Sequence, residues 1–237
     1  MKTLVVISLL LTAVAGLPHR LLVPVRYTHG SRIISGEPAV LGQFPWQVLN
    51  TYRVPQGTKL CGGSLISSRW VLTAGHCSIG VDAHKISLGT IMFYDDPEAV
   101  VRNTGAGIVH ENYRPPFPWN DVALIDLVTE VEFTGGIPSS SSLNFVDLTT
   151  ISNSECRRGL PGIFIVKGTL CTVGHPEHST CQGDSGGPLV VYDDNGEATH
   201  VGTTSFGSSE GCELGKPAAF ARTSYFIPWI TEHTGPL

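Results

Sequence analysis

Charge is scarce in this chain. Lys, Arg, Asp and Glu make up 15% of its 237 residues, the net charge is −5 and no basic block occurs, which excludes nucleic acid as a partner. Long apolar runs are scarce as well. The only one is Leu4–Val14, so no membrane is expected as a partner of the remaining chain. The paired CxxC and HExxH patterns of zinc sites are missing, and neither a metal nor a cofactor is expected. No Asn-x-Ser/Thr acceptor occurs, so N-linked glycan is not expected either.

What is present starts with a leader. Lys2 precedes the apolar run, and Ala13-Val14-Ala15 supplies a small-x-small cleavage signal, so residues 1–15 read as a removable signal peptide. Export to the extracellular space follows from that reading. Six cysteines suit an oxidising compartment: Cys61, Cys77, Cys156, Cys171, Cys181 and Cys212. An even count predicts three disulfides, with 15 pairings open.

The body has 27 glycines and 16 prolines, which separate short apolar stretches such as PWQVLN, SLISSRWVLTA, KISLGTI, DVALIDL, LNFVDLTTI, GPLVVY and HVGTTSF. That spacing predicts an all-β fold of antiparallel strands in a barrel or sandwich. The tail TSYFIPWITEHT predicts a short terminal helix whose first turn accepts Pro228.

Three stretches carry chemistry. His76 lies in VLTAGHCS at the end of an apolar strand, Asp121 opens NDVALIDL, and Ser185 sits in CQGDSGGPLV between glycines. Acyl transfer by a serine needs a base on the hydroxyl, an acid orienting that base, and donors for the oxyanion. TAGHC or DVAL alone would describe an ordinary strand end. GDSGGP is specific by itself, and the three occur in one order.

With these motifs the chain resembles the chymotrypsin family of serine peptidases, from Ile33 almost to the C-terminus. His76 and Asp121 lie 45 residues apart, against about 45 in the chymotrypsin template. The resemblance implies two antiparallel Greek-key β-barrels and a short C-terminal helix. Residues 33–237 would be the peptidase domain, with the first barrel near 33–130 and the second near 134–237. It implies Ser185 as nucleophile, His76 as base, Asp121 as orienting acid, and the N–H groups of Gly183 and Ser185 as the oxyanion hole. The pairings carried over are Cys61–Cys77, Cys156–Cys171 and Cys181–Cys212.

By the same resemblance residues 16–32 form an activation propeptide. Cleavage after Arg32 by a trypsin-like protease would free an ammonium on Ile33 to pair with Asp184. Ser179 would form the base of the substrate pocket, with Gly207 and Ala218 as walls. Ser205 and Gly207 would offer backbone bonds to the substrate, and Ser205 would also back Asp121. A pocket without charge implies large apolar residues before the cut bond. SSEGCELGKPAAFAR and ISNSEC resemble the arthropod chymotrypsin-like and brachyurin branch, whose members are typically digestive enzymes of the gut lumen. Partners would be protein or peptide substrates, the activating protease and protein inhibitors, with the chain a monomer.

One departure stands out. Asp121 and Ser185 are 64 residues apart, against about 93 in the template, so about 29 residues are missing. They fall where the second barrel begins, and no Gly-Trp-Gly occurs there. A missing strand is expected to leave the second barrel incomplete, with two edges of unpaired N–H and C=O groups. That deficit supports an alternative function, a non-catalytic homologue acting as a binding or decoy domain, whereas the intact motifs support an enzyme.

Overall fold

The structure is a computed structural model that describes residues 21–26 (backbone only), 33, 36–92, 96–132 and 143–237. The signal peptide, Arg32 and the seam around residues 133–142 lie outside the described residues. The chain forms β1 (Leu21–Arg26), β2 (Glu37–Pro38), β3 (Gln47–Val54), β4 (Gly57–Leu65), β5 (Trp70–Thr73), β6 (His84–Leu88), β7 (Val100–Thr104), β8 (Ile108–Val109) and β9 (Ala123–Asp126). It continues with β10 (Leu143–Leu148), β11 (Thr150–Ile151), α1 (Asn153–Gly159), β12 (Thr169–Thr172), β13 (Pro188–Tyr192), β14 (Ala198–Phe206), β15 (Ala218–Arg222) and α2 (Thr223–Thr234).

These strands make two antiparallel sheets. The first runs β7-β6-β3-β4-β5-β9-β8. Its spine is the hairpin of β3 and β4, which turns across two residues and pairs Gln47 with Ser64 at one end and Val54 with Gly57 at the other. Val48, Val71, Ile86 and Ile125 interlock beneath it. Such β-branched side chains pack well on a pleated surface, so one buried face fixes the register.

The second sheet runs β11-β12-β15-β14-β13-β1-β10-β2. Val146, Leu148, Leu170, Leu189, Ala218 and Phe220 form its core together with Ile33. Here the structure departs from the open gap expected from the sequence. β1, contributed by the segment ahead of Arg32, lies between β10 and β13. LLVPVR is an apolar run of strand length, and two unpaired edges offer it hydrogen bonds on both sides.

α1 was not foreseen, although its signal is in the sequence. Ser152 caps the helix by accepting from the Glu155 N–H, and Glu155 reaches back to the Ser152 N–H. This capping box lies within ISNSEC. α2 begins at Thr223, directly from β15, which places Pro228 inside the helix rather than in its first turn.

α2 packs the chain's end against the first sheet. Phe226, Trp229 and Ile230 bury against Leu72 and Leu124. The Trp229 ring stacks on His110 at 5.1 Å, and its indole N–H donates to Glu111 at 3.0 Å. Because β15 belongs to the second sheet, this helix fastens one half of the molecule to the other. Trp229→Ala should therefore cost about 3–5 kcal/mol of stability, read as a shift in the denaturant midpoint. A change below about 0.5 kcal/mol, the scale of an ordinary surface substitution, would contradict this role.

Candidate active site

His76 stands on a single 3-10 turn, Gly75–Cys77, immediately beyond β5. The turn is pinned by the Cys61–Cys77 disulfide to β4, and Cys77 is fully buried. Asp121 precedes β9 and is 2% exposed, low enough that its charge must be met by protein donors. The backbone N–H of His76 donates to Asp121 Oδ1 at 2.8 Å, and His76 Nδ1–H donates to Oδ2 at 2.8 Å. Ser205, from β14 of the other sheet, donates its hydroxyl to the same Oδ2 at 2.5 Å. Two donors thus come from one half of the molecule and one from the other.

The imidazole is orientated by this arrangement and changed by it electrically. Burial disfavours the imidazolium, but the Asp121 charge and hydrogen bond outweigh that effect. The His76 pKa is raised above 6.5. The bond to Nδ1 leaves Nε2 as the nitrogen that can accept a proton.

Ser185 lies in the turn between Cys181 and Pro188, tied on both sides. Its carbonyl accepts from Gly62 N–H of β4 at 2.7 Å, while the next residue, Gly186, donates to Thr204 of β14 at 2.8 Å. Asp184 is completely buried, and its Oδ2 accepts from Cys181 N–H at 2.7 Å. Gly183 has φ of 92°, a conformation that side-chain-bearing residues rarely adopt. Among the described residues, neither Gly183 N–H nor Ser185 N–H has a protein acceptor. Both donors remain available to a ligand.

Beside Ser185 is a cavity of about 190 Å³, lined by Ser179, Cys181, Ser205, Gly207, Cys212 and Lys216 among others. The Cys181–Cys212 disulfide joins two of its walls. Ser179, Ser205 and Gly207 line this one cavity with Ser185. Ala218 does not. It pairs with Thr172 across β12–β15 and is 3% exposed in the core beside Leu189 and Phe220. Lys216 and Pro217, which lead into β15, are among the residues lining the cavity. Lys216 was missed, although GKP just before a strand marks a turn. No Asp or Glu is among the residues lining the cavity.

The third disulfide, Cys156–Cys171, ties α1 to β12, so all three bonds match the pairing implied by resemblance. Among the described residues, one cluster has the spacing of a metal site: Cys61, His76 and Cys77. Both cysteines are bonded to each other and offer no thiolate. Among the described residues no helix is long and apolar enough to cross a membrane.

A buried carboxylate holding an imidazole, with a serine turn and two open N–H donors nearby, defines a site of the serine-hydrolase class on a double β-sheet scaffold. Comparison with known proteins narrows this. The Trypsin family model matches residues 33–141 and 132–230, and the chain belongs to that family. The two matched stretches overlap at residues 132–141, the neighbourhood of the seam.

The chain is 34% identical to the collagenase of Hypoderma lineatum across 99% of both chains. That alignment spans 265 positions, more than this chain's 237 residues, so the relative has segments that are missing here. It is 34% identical to brachyurin of Leptuca pugilator over 86% of this chain and 99% of that one. It is 33% identical to chymotrypsin-C of Rattus norvegicus over 85% and 88%. A solved structure titled HL collagenase superposes with a TM-score of 0.78 at 32% identity, covering 86% of this chain and all of the other. The fold is the trypsin-like double barrel, and the chain is a serine protease by family.

The electrostatics make a direct prediction. The NMR titration of the His76 ring should have its midpoint above 6.5, and Asp121→Asn should lower that midpoint by removing the stabilising charge. An unmoved midpoint would mean that Asp121 does not govern the imidazole.

Proposed function

We propose that this chain is a secreted serine endopeptidase, made as a zymogen and cut after Arg32, that prefers large apolar residues before the cleaved bond. The observation carrying this reading is the Asp121 carboxylate, which takes two hydrogen bonds from His76 and a third from Ser205. In the reaction His76 Nε2 removes the Ser185 hydroxyl proton as Oγ attacks the peptide carbonyl. The protonated imidazole, held by Asp121, then passes that proton to the leaving amine. Water repeats the sequence against the acyl-enzyme and frees Ser185. The N–H groups of Gly183 and Ser185 hold the oxyanion, each such donor being worth about 3 kcal/mol in the transition state.

Activation rests on the burial of Ile33 and Asp184. Ile33 is 4% exposed and sits in the second-sheet core with Leu189, on the strand that follows the Ser185 turn. The free ammonium of the cut chain would pair with Asp184 and stabilise the adjoining N–H groups. Gly36 supports the close path of this segment, because a Cβ there would meet the Phe145 carbonyl oxygen at 2.8 Å. No Asp or Glu is among the residues lining the cavity, so an Arg or Lys side chain would find no counterion there, in line with an apolar preference. The non-catalytic alternative drew its support from an empty strand position, and β1 lies in that position.

Fluorophosphonate labelling before and after limited trypsin cleavage tests the reading. An adduct on Ser185 is expected only after cleavage at Arg32; equal labelling of the uncut chain would overturn the zymogen reading, and no labelling of the cut chain the enzyme reading. Among para-nitroanilides ending in Phe, Leu, Ala and Arg, turnover of Arg should be slowest.

Activity should also fall at both ends of the pH scale. A base must be neutral, so activity disappears as pH drops through the raised His76 pKa. On the alkaline side it fades as the Ile33 amine, with a reference pKa of ~8, loses its proton. Acetylation of that amine after cleavage should abolish turnover; full activity of the acetylated enzyme would remove the Asp184 pairing from the mechanism. Gly36→Ala should slow activation at least tenfold, measured as the rise of activity after cutting.

A further inference from the structure

We propose that Leu21–Arg26 is a working strand of the second barrel, supplied by the propeptide, and that it stays bound after the chain is cut at Arg32. The cut itself rests on the zymogen reading above; the strand does not. All six residues of β1 pair in continuous antiparallel register with β10, from Leu21 opposite Leu148 to Arg26 opposite Leu143. Leu21 and Leu22 also pair with Val191 and Val190 of β13. β10 and β13 are not neighbours in the sheet; β1 is what joins them.

The consequences of removing it follow from the sheet order. β10 would keep only the two-residue pairing to β2. Its Val146 and Leu148 belong to the core that surrounds Ile33 and Leu189, so a loosened β10 would loosen the pocket that receives the new N-terminus. The freed edges would present a row of unpaired N–H and C=O groups, which folded proteins avoid. Pro24 fits the arrangement, since it pairs with Phe145 while the ladder to β13 stops at Leu22. A proline is tolerated in a strand where one side lacks a partner.

Retention needs no covalent link. Residues 16–32 contain no cysteine, so the severed peptide would be held by its backbone bonds and by its place between two strands. The segment would become a second chain of the mature protein. It restores a strand to a barrel whose sequence is about 29 residues short of the template.

The test follows β10 and the peptide rather than catalysis. After limited trypsin treatment, native gel filtration with mass spectrometry should find a peptide containing Leu21–Arg26 in the folded peak at one per body. Hydrogen exchange at Leu143–Leu148 should remain slow. Stripping the peptide in denaturant and refolding without it should speed that exchange at least tenfold or prevent refolding, and a synthetic peptide of residues 16–32 should reverse either result. Loss of the peptide with Leu143–Leu148 still protected would overturn the proposal. In the uncut chain, Val23→Pro should speed exchange of β10 while β3 and β4 stay protected; unchanged β10 would overturn it as well. If the peptide stays bound but Ser185 remains unlabelled, the enzyme reading fails and this one stands.

Discussion

The Asp121 carboxylate is the point on which both halves of the molecule converge. A carboxylate taken out of water costs several kcal/mol unless donors replace its hydration. Here the replacements come from His76, on the first sheet, and from Ser205, on the second. The charge is therefore satisfied only when the two sheets are docked in one relation. That same relation brings the Ser185 turn against β4 through the Gly62 bond. Docking and site assembly are thus one event, and the packing of α2 across the first sheet secures it.

The second buried acid works in a similar way over a shorter distance. Asp184 is fixed by the Cys181 N–H in the turn that carries Ser185. Its neighbours Gly183 and Ser185 keep their own N–H groups uncommitted among the described residues. A turn whose interior is anchored and whose outer donors are free is suited to hold a developing negative charge. Both acids thus organise donors around them, one by joining two sheets and the other by bending a loop.

The sequence disclosed much of this because the chemistry is concentrated in short motifs. GDSGGP, TAGHC and DVAL identified Ser185, His76 and Asp121, and the 45-residue spacing of the latter two fitted the fold. The strands of the first sheet were legible for a related reason: neighbours in sequence pair with one another, as in β3 and β4. What escaped depends on distant pairing or on where a strand starts. That Ala218 pairs with Thr172 in the sheet could not be read without knowing that β15 begins there. Pro228 was placed in a first turn because no sequence signal marked the passage from β15 straight into α2. β1 escaped because its partners lie more than a hundred residues away, and nothing in LLVPVR names them.

The position of β1 has a consequence for how such a chain can tolerate losing a strand. A barrel's closure depends on backbone pairing, which any extended segment of suitable length can supply. Side-chain identity is less constrained on a strand than at a catalytic turn, so a leader can take over the pairing while GDSGGP cannot be replaced. Shortening the chain between Asp121 and Ser185 would then move a structural duty onto residues ahead of Arg32. Cutting at Arg32 would separate two functions that share one segment: Ile33, already buried in the second-sheet core, becomes the new end, while the strand before it keeps the edge of β10 covered. Selection on this leader would act on its ability to form a strand, not only on the residue at which it is cut.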